Sequence, residues 1–195
     1  IANRSLEILG EALGNYAVIN PNDHVNQSQS TNDVFPTAGK MAILESLVPL
    51  ESELHKLAKA LEQKSVAFQD VIKVGRTQLQ DALPLSLGDT FGAYQQVIAR
   101  EYHRIISVRS ELTAVNLGGT AIGTSMNASH YYLAHVVPIL NQDFFIPLKQ
   151  ADNLIDATQN LDGFMQVSGR LKGIATTISK LANDLRLMSS GPQAG

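Results

Sequence analysis

The sequence predicts an all-α protein built as a bundle of long helices, and three observations carry that reading. Leu47, Leu50, Leu54, Leu57 and Leu61 follow Pro36 at alternating spacings of three and four, the repeat of a single apolar helix seam. Two further segments repeat the pattern downstream. No segment shows the strict apolar–polar alternation of a half-buried strand.

The leucine seam defines the first long helix, which starts near Pro36. The second runs from about Ser86 to Ala114, with Phe91, Tyr94, Ile98, Tyr102, Ile105 and Leu112 on one broad face. Ser86 followed three positions later by Asp89 has the form of a capping box, in which hydroxyl and carboxylate take up amides that a helix start leaves unpaired. The third pattern spans about Leu148 to Leu187 and carries Leu171, Ile174, Ile178, Leu181 and Leu185. As one unbroken helix it would reach roughly 60 Å at 1.5 Å per residue. A rod of that length is expected to pack its seam against other chains as well as its own. A shorter helix is expected over Ala128 to Leu140, with Pro138 as its bend or end and Phe144 to Pro147 as a connector.

The 195 residues carry 15 Lys plus Arg against 18 Asp plus Glu, a formal charge of −3, and no basic run, so nucleic acid is not an expected partner. No apolar stretch reaches the 18 or more residues that cross a bilayer, and a membrane partner is not expected either. The cysteine count is zero, which removes disulfides, thiolate metal sites and cysteine nucleophiles from this chain and fits a reducing, cytoplasmic compartment. The chain opens on Ile1 and closes on the Gly/Pro/Ser-rich SSGPQAG, so both ends read as cut from something longer. Residues 1–36 read as the end of an N-terminal region, and 37–195 as an incomplete central helical domain.

Three polar segments lie between the helices: Asn20 to Asp33, Gly75 to Pro84 and Leu117 to Asn127. Chemistry concentrates in such loops because rigid elements position them. In the first, Ser30, Thr31 and Asn32 stand where a helix start presents unpaired amides and the positive end of its dipole, a setting that favours a carboxylate or phosphate. The plainer reading is that Thr31, Asn32 or Asp33 caps the helix and Pro36 fits its first turn. Asn22, Asp23 and His24 suggest metal ligands, but no second cluster completes a shell, so a hydrogen-bonded loop is the better reading. In the second segment Thr77 and Gln78 are short-range donors and acceptors suited to an ammonium or carboxylate, and Arg76 reads as a structural ion pair. In the third, the glycines are not followed by Gly-Lys-Ser/Thr and no strand precedes them, which excludes a phosphate loop. Gly118, Gly119 and Gly123 are expected to allow tight turns and close approach to a neighbouring subunit.

Ser28-Gln29-Ser30-Thr31-Asn32-Asp33 resembles the first motif of the aspartase/fumarase superfamily, S-Q-S-[ST]-N-D, at every position. Gly75 to Ala82, GRTQLQDA, resembles its second motif, G-R-T-[HQ]-L-Q-D-A. Asn116 to Ala128 is similar to its G-G-T-A-x-G-T run but has Ser125 where Gly is usual. The resemblance implies a helical-bundle lyase and assigns substrate binding to Ser30, Thr31, Asn32, Thr77 and Gln78, with Thr120 lining the site. Thr31 and Gln78 are the aspartase-like choices; fumarases usually carry Ser and His at these places. The implied reaction is reversible elimination of ammonia from L-aspartate to give fumarate. The alternatives are hydration chemistry of the class II fumarase type, with L-malate as substrate, or a non-catalytic helical scaffold.

The resemblance also implies a homotetramer whose active sites draw these motifs from different subunits. It implies no cofactor, while activation by a divalent metal stays open. The family's third motif, G-S-S-x-M-P-x-K-x-N, which supplies the serine base, does not occur here and is expected beyond Gly195. Ser189-Ser190 instead resembles the family's L-S-S-G-P-R-A-G, with Gln193 at the usual Arg. The Asn20-Pro21-Asn22-Asp23 segment departs from the H-P-N-D of fumarases, where the segment forms a secondary anion site.

Overall fold

A computed structural model describes residues 1–191; Gln193 lies outside the described residues. The elements in chain order are α1 (Ala2–Ile8), a π-helical turn (Pro21–Val25), α2 (Thr31–Ala67), β1 (Ile72–Thr77), β2 (Gln80–Ser86), α3 (Leu87–Thr113), β3 (Ala114–Val115), α4 (His130–Phe144), β4 (Lys149–Gln150), α5 (Leu154–Gln159) and α6 (Asp162–Met188). They form two compact units. One comprises residues 1–43 and 112–161, the other 44–111 and 162–195.

The second unit contains the long-helix packing. From α2, Leu44, Leu47, Leu54, Ala58 and Leu61 are buried; from α3, Tyr94, Ile98, Ile105 and Val108; from α6, Val167, Ile174 and Leu181. The leucine seam therefore packs as its spacing requires, with Leu50 and Leu57 half-buried at its margins. Arg109 Nη1 meets both carboxylate oxygens of Glu51, at 3.1 and 3.2 Å, joining α3 to α2. The Tyr94 hydroxyl donates to Asp184 Oδ2 at 3.0 Å, joining α3 to α6. Burial first, then Asp184, pushes the Tyr94 phenol well above its ordinary value, so it stays a donor across the physiological range.

The start of α3 is the capping box expected from Ser86 and Asp89. Asp89 N donates to Ser86 Oγ at 2.8 Å, and Ser86 N donates to Asp89 Oδ2 at 3.3 Å. Hydrogen bonding by the Ser86 side chain, then by Gln69, holds the Asp89 carboxyl below its ordinary value. A carboxyl whose pKa is lower folded than unfolded contributes stability above the unfolded pKa and loses it as pH falls through the folded one. Ser86→Ala is expected to cost about 1 kcal/mol in chemical denaturation at neutral pH. The difference from wild type should shrink once acid has protonated Asp89.

Three elements differ from the sequence expectation. The segment read as a polar loop, Gly75 to Pro84, lies in an antiparallel hairpin in which Ile72 pairs with Ser86 and Thr77 with Gln80, with an irregularity between Val74 and Arg76. Its apolar residues are open: Ile72 is 68% exposed, Leu79 73% and Leu83 76%. Alternation between a buried and a solvated face is therefore absent, which is why the pattern did not read as strand.

The pattern from Leu148 to Leu187 is not one rod. Its first residues pair in parallel as β4 with β3. Asn153 then caps α5 by accepting from Ile155 N and Asp156 N, and Asn160 is extended, so α6 starts only at Asp162. The 27 residues of α6 span about 40 Å. The third difference is α4, which Ser129 caps through Tyr132 N at 3.1 Å and which runs through Pro138 to Phe144.

Candidate functional site

The first unit builds a site at the start of α2. Ser30 caps the helix: its Oγ accepts from Asn32 N at 3.1 Å, and its own N donates to Asp33 Oδ1 at 2.9 Å. This is a second capping box: the helix is capped, as the plainer reading had it, but by Ser30 and not by Thr31 or Asn32, with Asp33 in the reciprocal place, which leaves the other side chains available. Thr31 is exposed, and its hydroxyl has no hydrogen-bond partner among the described residues. Asn32 Nδ2 donates to Ala121 O at 2.7 Å, which fixes the orientation of the amide and leaves Oδ1 as an acceptor.

Pro36 falls in the second turn of α2, not the first, and this has a cost that Asn116 meets. Proline has no N–H, so the carbonyl four residues earlier, that of Asn32, loses its helical partner. Asn116 Nδ2 supplies the missing donor at 2.9 Å and also donates to Thr158 Oγ1 at 3.1 Å. Asn116 is 1% exposed. Sequence reading missed it; the signal was a proline inside a helix, which demands a donor from elsewhere.

Asp33 has no exposed surface. Its second oxygen accepts from Gly118 N at 3.1 Å and Thr120 N at 2.9 Å. Backbone amides that converge in such a loop form an anion-binding concavity, and here the chain's own carboxylate fills it, while the Gly119 amide between them donates to Asn116 O. Tyr132, on α4, has its phenol raised by burial and, second, by the charge of Asp33.

Gly118 (φ +94°) and Thr120 (φ +59°) are both left-handed, and a β-branched residue there is a strained one. Gly123 also needs to be glycine: at φ +87°, a Cβ would stand 2.5 Å from the Leu154 carbonyl oxygen. The close approach expected toward a neighbouring subunit is thus made, at this glycine, to the chain's own α5. Ser28, Gln29, Ser30 and Thr120 line an open cleft of about 470 Å³ together with Ala121, Ile122, Thr124, Met126 and Asn127 of the glycine loop.

Thr77 and Gln78 belong to the other unit, where Thr77 ends β1 and Gln78 and Leu79 make a two-residue hairpin turn. Both turn residues are left-handed, at φ +52° and +63°. Turns of this kind strongly favour Asn-Gly, and a Gln-Leu pair holds backbone strain at the tip that displays Gln78. Leu79→Gly is expected to raise the stability of the chain by about 1 kcal/mol, since the strained side chain buries little surface. Thermal unfolding checks this. Arg76 Nε lies 3.5 Å from Asp81 Oδ1 across the hairpin, the structural ion pair expected of it.

The segment from Asn20 to Val25 is held by its own side chains. Asn20 Oδ1 accepts from Asn22 N and Asp23 N, and His24 Nδ1 accepts from Asn20 N at 3.0 Å. Among the described residues no group of three or more His, Cys, Asp or Glu side chains is placed to hold a metal ion. No helix of the described residues is long and apolar enough to cross a membrane. The Ser189 and Ser190 hydroxyls donate back to the carbonyls of Arg186 and Leu187 at the end of α6. That is a local role at a helix end.

A lyase family, by its sequence model, matches residues 2–195. The chain belongs to this lyase family, the aspartase/fumarase superfamily. The lyase chain is 49% identical over all 195 residues to the aspartate ammonia-lyase of Bacillus subtilis (strain 168), covering 41% of that protein. To the Helicobacter pylori (strain 26695) aspartate ammonia-lyase it is 47% identical, covering 42%. Among solved structures, a fumarate lyase:delta crystallin from Brucella melitensis bound to cobalt superposes with a TM-score of 0.94 at 49% identity, over 100% of this chain and 42% of that one. A class II fumarase from Schistosoma mansoni superposes with a TM-score of 0.89 at 32% identity, over 100% of this chain and 44% of that one. The lyase chain thus spans about two fifths of the length of these relatives, and its long helices are the family's helical domain.

Proposed function

We propose that this chain works as part of a longer lyase subunit that eliminates ammonia from L-aspartate to give fumarate. The observation that carries the reading is 44–49% identity, along the whole chain, to proteins named aspartate ammonia-lyase. Gln78 supports it: a neutral amide does not exchange protons near neutral pH as an imidazole does, so this position is suited to orienting an amine.

The proposed chemistry uses neutral donors. A base removes a Cβ proton, the electron pair forms the Cα–Cβ double bond, and the C–N bond breaks to release ammonia. As the proton leaves, charge builds on the β-carboxylate, and donors aimed at that charge lower the barrier. Ser30 and Thr31 supply them. Ser30 Oγ accepts from Asn32 N, which leaves its O–H to donate outward. Asn32 Oδ1 receives the amine, together with Thr77 and Gln78 brought from other copies of the chain. The positive end of the α2 dipole adds to the attraction for a carboxylate. The serine base is contributed by residues that this chain does not contain.

Assembly is part of the proposal. Along α6, Val167, Ile174 and Leu181 recur every seven residues and are buried, while Leu171, Ile178 and Leu185, also seven apart, are 42%, 39% and 37% exposed. Two apolar lines in heptad register with only one of them covered fit a helix that packs against further copies, as a homotetramer with shared active sites requires.

The reading is tested by following fumarate formation in the ultraviolet, with the complete subunit supplied with L-aspartate or L-malate. Turnover of aspartate is expected. Turnover of malate alone would assign the chain to a fumarate hydratase instead, and turnover of neither would favour a scaffold. The 195-residue chain by itself is expected to release no fumarate from aspartate, and measurable deamination by it would contradict the placement of the base outside it.

A further inference from the structure

Two amides of the glycine loop, those of Gly118 and Thr120, converge as in an anion site but are already occupied, and the group that occupies them stands next to a candidate substrate residue. Asp33 is wholly buried, and it accepts from three backbone amides: Ser30 N at 2.9 Å, Gly118 N at 3.1 Å and Thr120 N at 2.9 Å. Hydrogen bonds to an ionised acceptor are roughly twice as strong as neutral ones. Two of the three, from Gly118 N and Thr120 N, tie the helix start to the loop, and the third, from Ser30 N, holds the carboxylate within the helix start. Thr120 needs such a tie, because a β-branched residue at φ +59° does not stay there unaided.

The residue after Thr120 is Ala121, and its carbonyl is the acceptor that orients the Asn32 amide at 2.7 Å. Asn116 completes the connection from the other side by holding the Asn32 carbonyl at 2.9 Å. We propose that Asp33 is a positioning residue. Through the amides of Gly118 and Thr120 it fixes the Ala121 carbonyl, and through that carbonyl it sets which way the Asn32 amide faces the substrate. This rests on the reading of Asn32 as a substrate-binding residue. It also means that the Gly118 and Thr120 amides are closed to the substrate's own carboxylates.

Asp33→Asn is the isosteric test. One amide oxygen can still accept from Gly118 and Thr120, but the NH2 group then faces the Ser30 N–H, donor against donor. The variants Asp33→Asn, Asn32→Ala and the double variant are assayed as complete subunits with L-aspartate, and only on protein with wild-type circular dichroism and assembly state. If Asp33 acts through Asn32, Asp33→Asn lowers kcat/KM by ~30-fold or more in the wild-type background and by less than ~3-fold in the Asn32→Ala background. Equal losses in the two backgrounds, or no loss in either, would overturn the proposal.

Hydrogen exchange of the 116–127 segment gives a readout independent of turnover. Asp33→Asn should speed exchange there, and unchanged protection would overturn the tether itself. If the wild type converts malate and not aspartate, the functional reading fails while the same cycle is read with malate. If it converts neither, fumarate binding by calorimetry replaces turnover. Fumarate binding that responds to neither substitution would then end the positioning role.

Discussion

Thr31→Ala in the complete subunit is expected to lower kcat for aspartate by about 100- to 1000-fold, the usual loss when one donor to a developing oxyanion is removed. The same substitution should leave folding nearly untouched. Thr31 is exposed at the first position of α2, and its hydroxyl has no partner among the described residues. Ala is a better helix former than Thr, so stability should stay within about 0.5 kcal/mol of wild type. The two effects are measured on one preparation, by steady-state turnover and by denaturant unfolding. Together they separate a hydroxyl kept for chemistry from one kept for capping. Ser30 would not separate them so cleanly, because its Oγ accepts from Asn32 N and its removal loosens the helix start as well.

Asp33→Ala is expected to differ from Thr31→Ala in its effect on folding, with a loss of about 4 kcal/mol in stability on top of its effect on turnover. The carboxylate is buried and accepts three backbone amides. Its removal strands those donors, each at about 1–3 kcal/mol when no water reaches them. Strain at Thr120 is then unopposed, which adds to the loss. Urea unfolding of the chain reads this directly. A loss below about 1 kcal/mol would mean that solvent enters and satisfies the loop, and that the tether is weaker than its geometry.

The parts legible in the sequence were those with a local, periodic or short-range cause. The leucine seam of α2 repeats at three and four because one side of a long helix is buried, and Leu47, Leu54 and Leu61 are buried in the fold. Ser86 and Asp89 satisfy each other three residues apart, so the spacing alone placed the start of α3. The hairpin was hidden because its apolar residues face solvent within this chain, which removes the alternation that marks a strand. The break before α6 was hidden because Asn153 and Asn160 interrupt an apolar repeat without a glycine or proline.

The candidate site divides in the same way. The proposed substrate-binding residues Ser30, Thr31, Asn32, Thr77 and Gln78 stand in contiguous motifs, so a sequence pattern alone can point to them. Asn116 acts on Asn32 across 84 positions, and Asp33 on Gly118 and Thr120 across 85 and 87. Contacts of that separation leave no periodic trace; only the missing N–H of Pro36 and the Ser30–Asp33 spacing hint at them.

The measurement closest to the central claim is fumarate titrated calorimetrically into the complete assembly, wild type beside the variant carrying both Thr31→Ala and Thr77→Ala. Uncharged hydroxyls and amides that grip a small dicarboxylate require saturable binding to the wild type and a dissociation constant raised by ~10-fold or more in the double variant, the equivalent of one lost hydrogen bond to a charged group. Equal affinity in the two proteins, or no binding by the wild type, would contradict it.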